Sequence, residues 1–118
     1  MDIQAAILDM GRRARAAAHA LVKLSTDQKN RILLAMASQI QQDEPAILAA
    51  NATDLERARS NGLSDAMIDR LTLNPQRLAA IAHALREVAA LPDPVGEVLA
   101  DWTRPNGLRI RKVRVPIG

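Results

Sequence analysis

The stretch from Trp102 to Gly118 constrains this 118-residue chain more than any other. Before it, apolar residues recur at helical spacing; within it the period shortens to two, the signature of a strand. Asn106-Gly107 is the dipeptide that best tolerates positive φ at two successive residues, as a type I′ turn requires. A β-hairpin closed by that dipeptide is therefore predicted, with Val98, Leu99 and Trp102 on its first strand and Leu108 and Ile110 on its second. Val113 and Val115 then fall on the parity of Arg109 and Arg111, not on that of Leu108 and Ile110. A period-2 strand changes parity only through a bulge, a sharp twist or a new packing partner. The slip predicts that the strand leaves one layer and enters another near Arg111-Lys112. Pro116 has no N–H for a ladder and should lie beyond the strand's end.

Everything N-terminal to this stretch reads as helix. Ile3, Ile7, Met10, Ala14, Ala17, Leu21 and Leu24 are spaced alternately by four and three, an apolar seam expected to pack on the rest of the protein. Gly11 weakens that helix by about 1 kcal/mol relative to Ala, and Arg12, Arg13 and Arg15 should face solvent or an acidic neighbour. Ser25 and Gln28 have the spacing of a capping box, opening a helix that buries Leu33, Met36, Ala37 and Ile40 and keeps Lys29 and Arg31 outside. Asp43-Glu44-Pro45 starts a third helix, with Asp43 as its cap at about 1 kcal/mol and Leu48, Asn51, Leu55 and Ala58 on one face. Asn51 is the polar oddity of that face and is expected to bond a loop carbonyl. Asn61-Gly62-Leu63 supplies a helix stop with Gly62 left-handed. Ser64 caps a short helix bearing Met67, Ile68 and Leu71. Asn74-Pro75 pairs a cap residue with proline at the first helical position, opening a helix that buries Leu78, Ile81, Ala82, Leu85, Val88 and Ala89. Leu91-Pro92-Asp93-Pro94-Val95-Gly96 is a stiff extended connector into the hairpin. The chain thus reads as mainly α-helical with a C-terminal β-hairpin: a helical layer over 1–91, then connector and hairpin over 92–118.

Composition limits both core and chemistry. The only aromatic residue is Trp102, so the core must come from aliphatic residues and much alanine, which demands close helix packing and leaves a free-standing domain marginal. The absence of Cys excludes a thiol nucleophile, a thiolate metal site and a disulfide within these residues. No apolar run approaches a membrane span and no basic secretory leader is present, so a cytoplasmic protein is expected. There is no glycine-rich phosphate loop, no Cys/His cluster and no HExxH. His19 and His83 lie far apart on helices and read as surface residues. Asp65 and Asp69 are one turn apart and are explained by Arg70 and the helix start. The basic run Arg104, Arg109, Arg111, Lys112, Arg114 is split over two strand faces, with no aromatic platform for bases. Carboxylate partners or solvent are expected there, not nucleic acid. No catalytic, cofactor-binding or metal-binding role is assigned to any residue.

Several segments, in order, resemble those of the γ-glutamyl phosphate reductase family, also called glutamate-5-semialdehyde dehydrogenase. They are Leu24-Ser25-Thr26-Asp27-Gln28-Lys29-Asn30, Ile47-Leu48-Ala49-Ala50-Asn51 with Asp54-Leu55, and Gly62-Leu63-Ser64 with Asp69-Arg70-Leu71. Leu91-Pro92-Asp93-Pro94-Val95-Gly96-Glu97-Val98, Trp102-Thr103-Arg104-Pro105-Asn106-Gly107-Leu108 and Lys112-Val113-Arg114-Val115-Pro116-Ile117-Gly118 complete the match. The resemblance implies an α/β fold of the aldehyde dehydrogenase superfamily and NADPH-dependent reduction of γ-glutamyl phosphate to glutamate 5-semialdehyde in proline biosynthesis. It also implies a cysteine thiolate that attacks the acyl phosphate, and a thioester reduced by hydride. That cysteine and the NADPH contacts would lie beyond Gly118. What carries over is architecture: helices packed on the nucleotide-binding domain, then strands of an oligomerisation sheet, in a homo-oligomer without nucleic-acid or membrane partners. The alternative is a stand-alone helical module whose hairpin pairs with another chain.

Overall fold

A computed structural model describes residues 2–117, with five helices followed by one hairpin. The helices are α1 (Ile3–Leu21), α2 (Thr26–Gln42), α3 (Glu44–Ser60), α4 (Asp65–Leu71) and α5 (Pro75–Ala90); the strands are β1 (Val98–Thr103) and β2 (Arg109–Val113). The chain divides into two compact units, Asp27–Leu91 and Met1–Thr26 with Pro92–Gly118.

In the unit Asp27–Leu91 the buried residues are Ala37, Asn51, Ala58, Leu78 and Ala82. Three are alanines, so this core gains from backbone proximity more than from side-chain area. The half-buried Leu33, Ile40, Leu48, Leu55, Ile68, Leu85 and Ala89 ring it. Met36, Ile81 and Val88, expected inside, are exposed. Their positions lie at the margins of each stripe, where an alanine-centred contact is too narrow to cover them.

Local chemistry fixes the helix ends. Asn74 Oδ1 accepts from the Arg77 N–H at 2.8 Å, and Ser64 Oγ accepts from the Met67 N–H at 3.4 Å. After α3, Gly62 takes φ +74° while the Leu63 N–H reaches the Ala58 carbonyl at 3.1 Å and the Gly62 N–H reaches Arg59 at 2.9 Å. These are the paired bonds of a Schellman stop, open to glycine because it lacks a Cβ. Asp43 differs from expectation: its side chain makes no cap bond. The α2–α3 junction is nearly continuous, the Asp43 N–H still bonding the Gln39 carbonyl at 2.9 Å, and the carboxylate accepts instead from Gln39 Nε2 at 2.9 Å. Asp69 also differs. Its partner is Arg77, not Arg70: Arg77 Nη2 donates to Asp69 Oδ1 at 2.8 Å, and Nη1 to the carbonyls of Asp69 and Thr72. One guanidinium thereby collects the orphan acceptors at the end of α4.

Asn51 performs the bonding expected of it and more. Its Nδ2 donates to the Leu71 carbonyl at 2.9 Å, and its Oδ1 accepts from the Leu73 N–H at 2.9 Å. A buried side chain on α3 thus supplies both halves of a backbone-like link to the α4–α5 connection. Arg86 Nη2 donates to Gln41 Oε1 at 2.6 Å, a second tie, from α5 to α2.

The other unit contains α1 and the hairpin. Asp2 caps α1 by accepting from the Gln4 N–H at 3.0 Å. The helix stops at Leu21, one turn short of Leu24, and no described residue of it is buried. The seam expected to pack therefore stands open, with Ile3 76% exposed and Ile7, Met10 and Leu21 all more than half exposed. Arg12, Arg13 and Arg15 are exposed as expected.

The connector is shaped by turns. The Val95 N–H bonds Asp93 Oδ1 at 3.0 Å, Thr26 Oγ1 donates to Asp93 Oδ2 at 2.7 Å, and the Glu97 N–H reaches the Pro94 carbonyl at 3.2 Å. With φ +88° at Gly96, the third residue of that turn, Pro94–Glu97 is a type II turn. It delivers the chain into β1.

Candidate functional site

The hairpin is the one element that gathers the sequence's unusual features, and its turn is not the one expected. The Arg104 N–H bonds the Leu108 carbonyl at 2.8 Å and the Gly107 N–H bonds the Arg104 carbonyl at 2.9 Å. Gly107 has φ +86°, but no described non-glycine residue has positive φ, so Asn106 is not left-handed. Arg104–Gly107 is therefore a type I turn closed by a glycine bulge, a three-residue loop instead of a two-residue type I′ turn. Pro105 decides it: its ring fixes φ near −65°, which suits the second position of a type I turn. Asn106 Oδ1 accepts from the Leu108 N–H at 3.2 Å.

The ladder pairs Thr103 with Arg109, Trp102 with Ile110, Asp101 with Arg111 and Ala100 with Lys112; the register then shifts, and Val98 faces Val113. The irregularity expected near Arg111-Lys112 is there, but the extra residue is Leu99 on β1, opposite the Lys112-Val113 step. β2 does not leave for another layer among the described residues. It keeps the same partner, the Arg114 N–H bonding the Glu97 carbonyl at 3.0 Å. A bulge on one strand answers a parity slip on the other, because it is their relative register that changes.

Register assigns the faces. Ala100, Trp102, Ile110 and Lys112 share one; Asp101, Thr103, Arg109 and Arg111 share the other. Beyond the bulge the valine pair Val98 and Val113 lies on the side of Arg109 and Arg111. The apolar side of the ribbon thus turns over along its length. Trp102 is 44% exposed, and Val98, Leu99, Leu108 and Val113 are exposed as well.

Two cross-strand ion pairs hold the ribbon's charge. Arg109 grips Asp101 through Nε at 2.9 Å and Nη2 at 2.5 Å, and Arg114 Nε meets Glu97 Oε2 at 2.7 Å. The Arg109 hydrogen bonds, helped by nearby Arg111, hold the Asp101 carboxyl below its ordinary pKa, and the same bonds raise that of Arg109. Arg104, Arg111 and Lys112 make no ion pair among the described residues. The charge is distributed unevenly over the chain. Residues 1–96 carry eleven basic and eleven acidic side chains; residues 97–118 carry five basic and two acidic. The hairpin segment therefore holds the whole net charge of +3. Segment-by-segment counting of charge would have found this from the sequence.

Among the described residues no other part of the chain gathers chemistry. His83 Nε2 lies 3.5 Å from Glu87 Oε1 on the exposed side of α5. His19 lines an open groove of about 810 Å³ on α1 with Ala14, Ala18, Leu21, Val22 and Ile117. Among the described residues no group of three or more metal-ligating side chains converges. The left-handed glycines Gly62, Gly96 and Gly107 close a helix stop, a type II turn and the hairpin turn, none of which cradles a phosphate. No described helix is long and apolar enough to cross a membrane. The expected junction at Pro116-Ile117-Gly118 ends on Gly118, which lies outside the described residues.

No protein-family model matches the chain. Among curated proteins it is 52% identical over 118 residues, its full length, to a γ-glutamyl phosphate reductase from Moorella thermoacetica, and spans 28% of that protein. It is 54% identical over 112 residues to the γ-glutamyl phosphate reductase of Xylella fastidiosa strain M23, covering 95% of this chain and 26% of the relative. Among solved structures, γ-glutamyl phosphate reductase from Thermotoga maritima superposes with a TM-score of 0.89 at 39% identity, over 93% of this chain and 27% of that one. The Saccharomyces cerevisiae enzyme of the same name gives 0.83 at 29% identity, over 92% of this chain and 28% of that one. The chain thus spans little more than a quarter of the relatives it matches, and it corresponds to their N-terminal segment.

Proposed function

We propose that the chain is the N-terminal portion of an enzyme that reduces γ-glutamyl phosphate to glutamate 5-semialdehyde with NADPH, a cytoplasmic step of proline biosynthesis. The observation that carries this reading is the match to a reductase from first residue to last, 52% identical over 118 residues. A stand-alone interaction module is not favoured, since a 52% identical segment is embedded in an enzyme more than three times as long. In this reading the chain supplies architecture and no reacting group. It has no cysteine to form the thioester. The thiolate and the NADPH contacts belong to the part of the enzyme outside these residues. Residues 1–91 form a helical layer against the nucleotide-binding domain of an aldehyde-dehydrogenase-like fold. Residues 92–118 feed the sheet through which the enzyme assembles as a homo-oligomer. The uncovered seam of α1 and the exposed ribbon are the surfaces such an arrangement would cover.

A chimera tests the reading. The Moorella thermoacetica enzyme, with its matched segment replaced by these 118 residues, should interconvert glutamate 5-semialdehyde and γ-glutamyl phosphate with the nicotinamide cofactor, assayed in either direction. The isolated chain should give no turnover. A folded chimera without activity, or turnover by the isolated chain, would overturn the proposal.

A further inference from the structure

The hairpin tip can carry a chemical step of its own, and we infer that Asn106 is a site of spontaneous deamidation and isomerisation, gated by opening of the turn. This goes beyond the enzyme reading and does not depend on it. The Gly107 nitrogen loses its proton to hydroxide and attacks Asn106 Cγ. The Cγ–Nδ2 bond breaks, ammonia leaves, and a cyclic imide closes. Water then opens the imide at Cγ, giving aspartate, or at the backbone carbonyl, giving isoaspartate with the chain rerouted through the side chain. Nothing but water is consumed, and ammonia is the one product released.

The structure selects this residue from five asparagines. Asn74 precedes Pro75, which has no N–H to become a nucleophile. Asn30 lies within α2, where the next N–H is held in the helix. Asn51 is buried, with both ends of its amide bonded. Two exposed Asn-Gly steps remain, Asn61-Gly62 and Asn106-Gly107, and no Cβ shields either attacking nitrogen. Both are closed in the fold: the Gly62 N–H bonds the Arg59 carbonyl and the Gly107 N–H the Arg104 carbonyl, each at 2.9 Å. Asn61 has ψ 3°, and the third residue of a type I turn likewise has ψ near zero. There the glycine nitrogen eclipses the asparagine's own nitrogen and stands away from Cγ. Each turn must therefore open before it reacts, and ease of opening decides between them. The Gly62 turn is tied to the helical unit, its Leu63 N–H bonding the carbonyl of buried Ala58. The Gly107 turn ends a two-stranded ribbon with no buried residue, an element marginal by itself. Isoaspartate would add a backbone carbon to this short loop and misplace the Arg104 N–H to Leu108 carbonyl bond that closes it. The reaction thus unfastens the hairpin at its tip.

The 118-residue chain is incubated at mildly alkaline pH and digested, and the products at each asparagine are resolved by chromatography and mass spectrometry. Aspartate and isoaspartate should accumulate about tenfold or more faster at Asn106 than at Asn61, since a modest difference in opening free energy is already a factor of that size. A synthetic peptide spanning Trp102–Ile110 sets the rate of an open turn, and Asn106 in the chain should react more slowly than that. Asn106→Gln should abolish the product. Asn61 reacting as fast as Asn106, Asn106 surviving while the peptide reacts, or chain and peptide reacting equally fast overturns the inference. The isolated isoaspartate form should lose the cross-strand nuclear Overhauser contacts between Trp102 and Ile110. Asn106→Asp should keep them, because its carboxylate still accepts from the Leu108 N–H. An isoaspartate form with those contacts intact would refute the unfastening.

Discussion

Truncating Asn51 to alanine should destabilise the helical unit Asp27–Leu91 by about 2–4 kcal/mol. The side chain is 7% exposed and makes two hydrogen bonds of 2.9 Å, one to the Leu71 carbonyl and one from the Leu73 N–H. Each such bond contributes about 1 kcal/mol net. Removing both also leaves a carbonyl and an N–H behind, which adds about 1–2 kcal/mol where water cannot replace the lost partner. The sum is about 2–4 kcal/mol. The covered core around it consists of three alanines, Leu78 and Asn51 itself, so a loss of that size is a large share of what holds these helices together. Urea unfolding followed by far-UV circular dichroism would read it. With a slope of about 1 kcal/mol per molar for a unit this small, the midpoint should fall by about 2 M or more, or helix content should already be reduced without urea. Thr53→Ala is the control, because Thr53 is exposed and only bonds back to the Ala49 carbonyl at 3.4 Å. Should Asn51→Ala unfold within about 0.5 kcal/mol of that control, the link between α3 and the α4–α5 connection contributes nothing and the reasoning fails.

Gly62→Ala, at φ +74° with open space around the new Cβ, should cost about 1–2 kcal/mol from backbone strain alone; urea melts of the helical unit measure it. Gly107→Ala at φ +86° should open the hairpin, seen as loss of cross-strand nuclear Overhauser contacts between Trp102 and Ile110. Because the folded state lowers the Asp101 pKa, its pairing with Arg109 stabilises the hairpin fully above the ordinary carboxylate value, about 3.9. That stabilisation should fade as pH falls through the lower folded value. Trp102 emission followed from pH 5 to pH 2 should show the change, and Asp101→Asn should remove it. The exposed seam Ile3, Ile7, Met10, Leu21 should make the isolated chain self-associate and bind a hydrophobic dye; a monodisperse, dye-free monomer would contradict that.

Features written into adjacent residues were legible in the sequence. Asn74-Pro75, Ser64 and Asn61-Gly62-Leu63 act within one turn of themselves, and each forms the cap its side chains dictate. Asn51 was legible because one polar residue on an apolar face must find a partner. What escaped depended on competition or distance. Asn106-Gly107 favours one turn, but Pro105 outvotes it by fixing its own φ. Asp43 had a cap to make, yet Gln39 stood one turn back on an almost unbroken helix. Arg77 reaches eight residues to Asp69, a pairing that appears only once α4 and α5 are placed. The parity slip near Arg111-Lys112 was legible, but it marks a bulge at Leu99 on β1 and not the expected departure of β2 to another layer, since one strand's pattern records the offset and not its cause.

The turnover of the ribbon's apolar side has a mechanical consequence. Toward the tip, Trp102 and Ile110 are greasy on one side; toward the base, Val98 and Val113 are greasy on the other. Such a tongue cannot be satisfied by lying flat on a single neighbour. It is shaped as a tenon, offering one face for burial at its tip and the opposite face at its base. A body that shifted against either end would pull on both, so the hairpin couples whatever it joins more tightly than its few residues suggest.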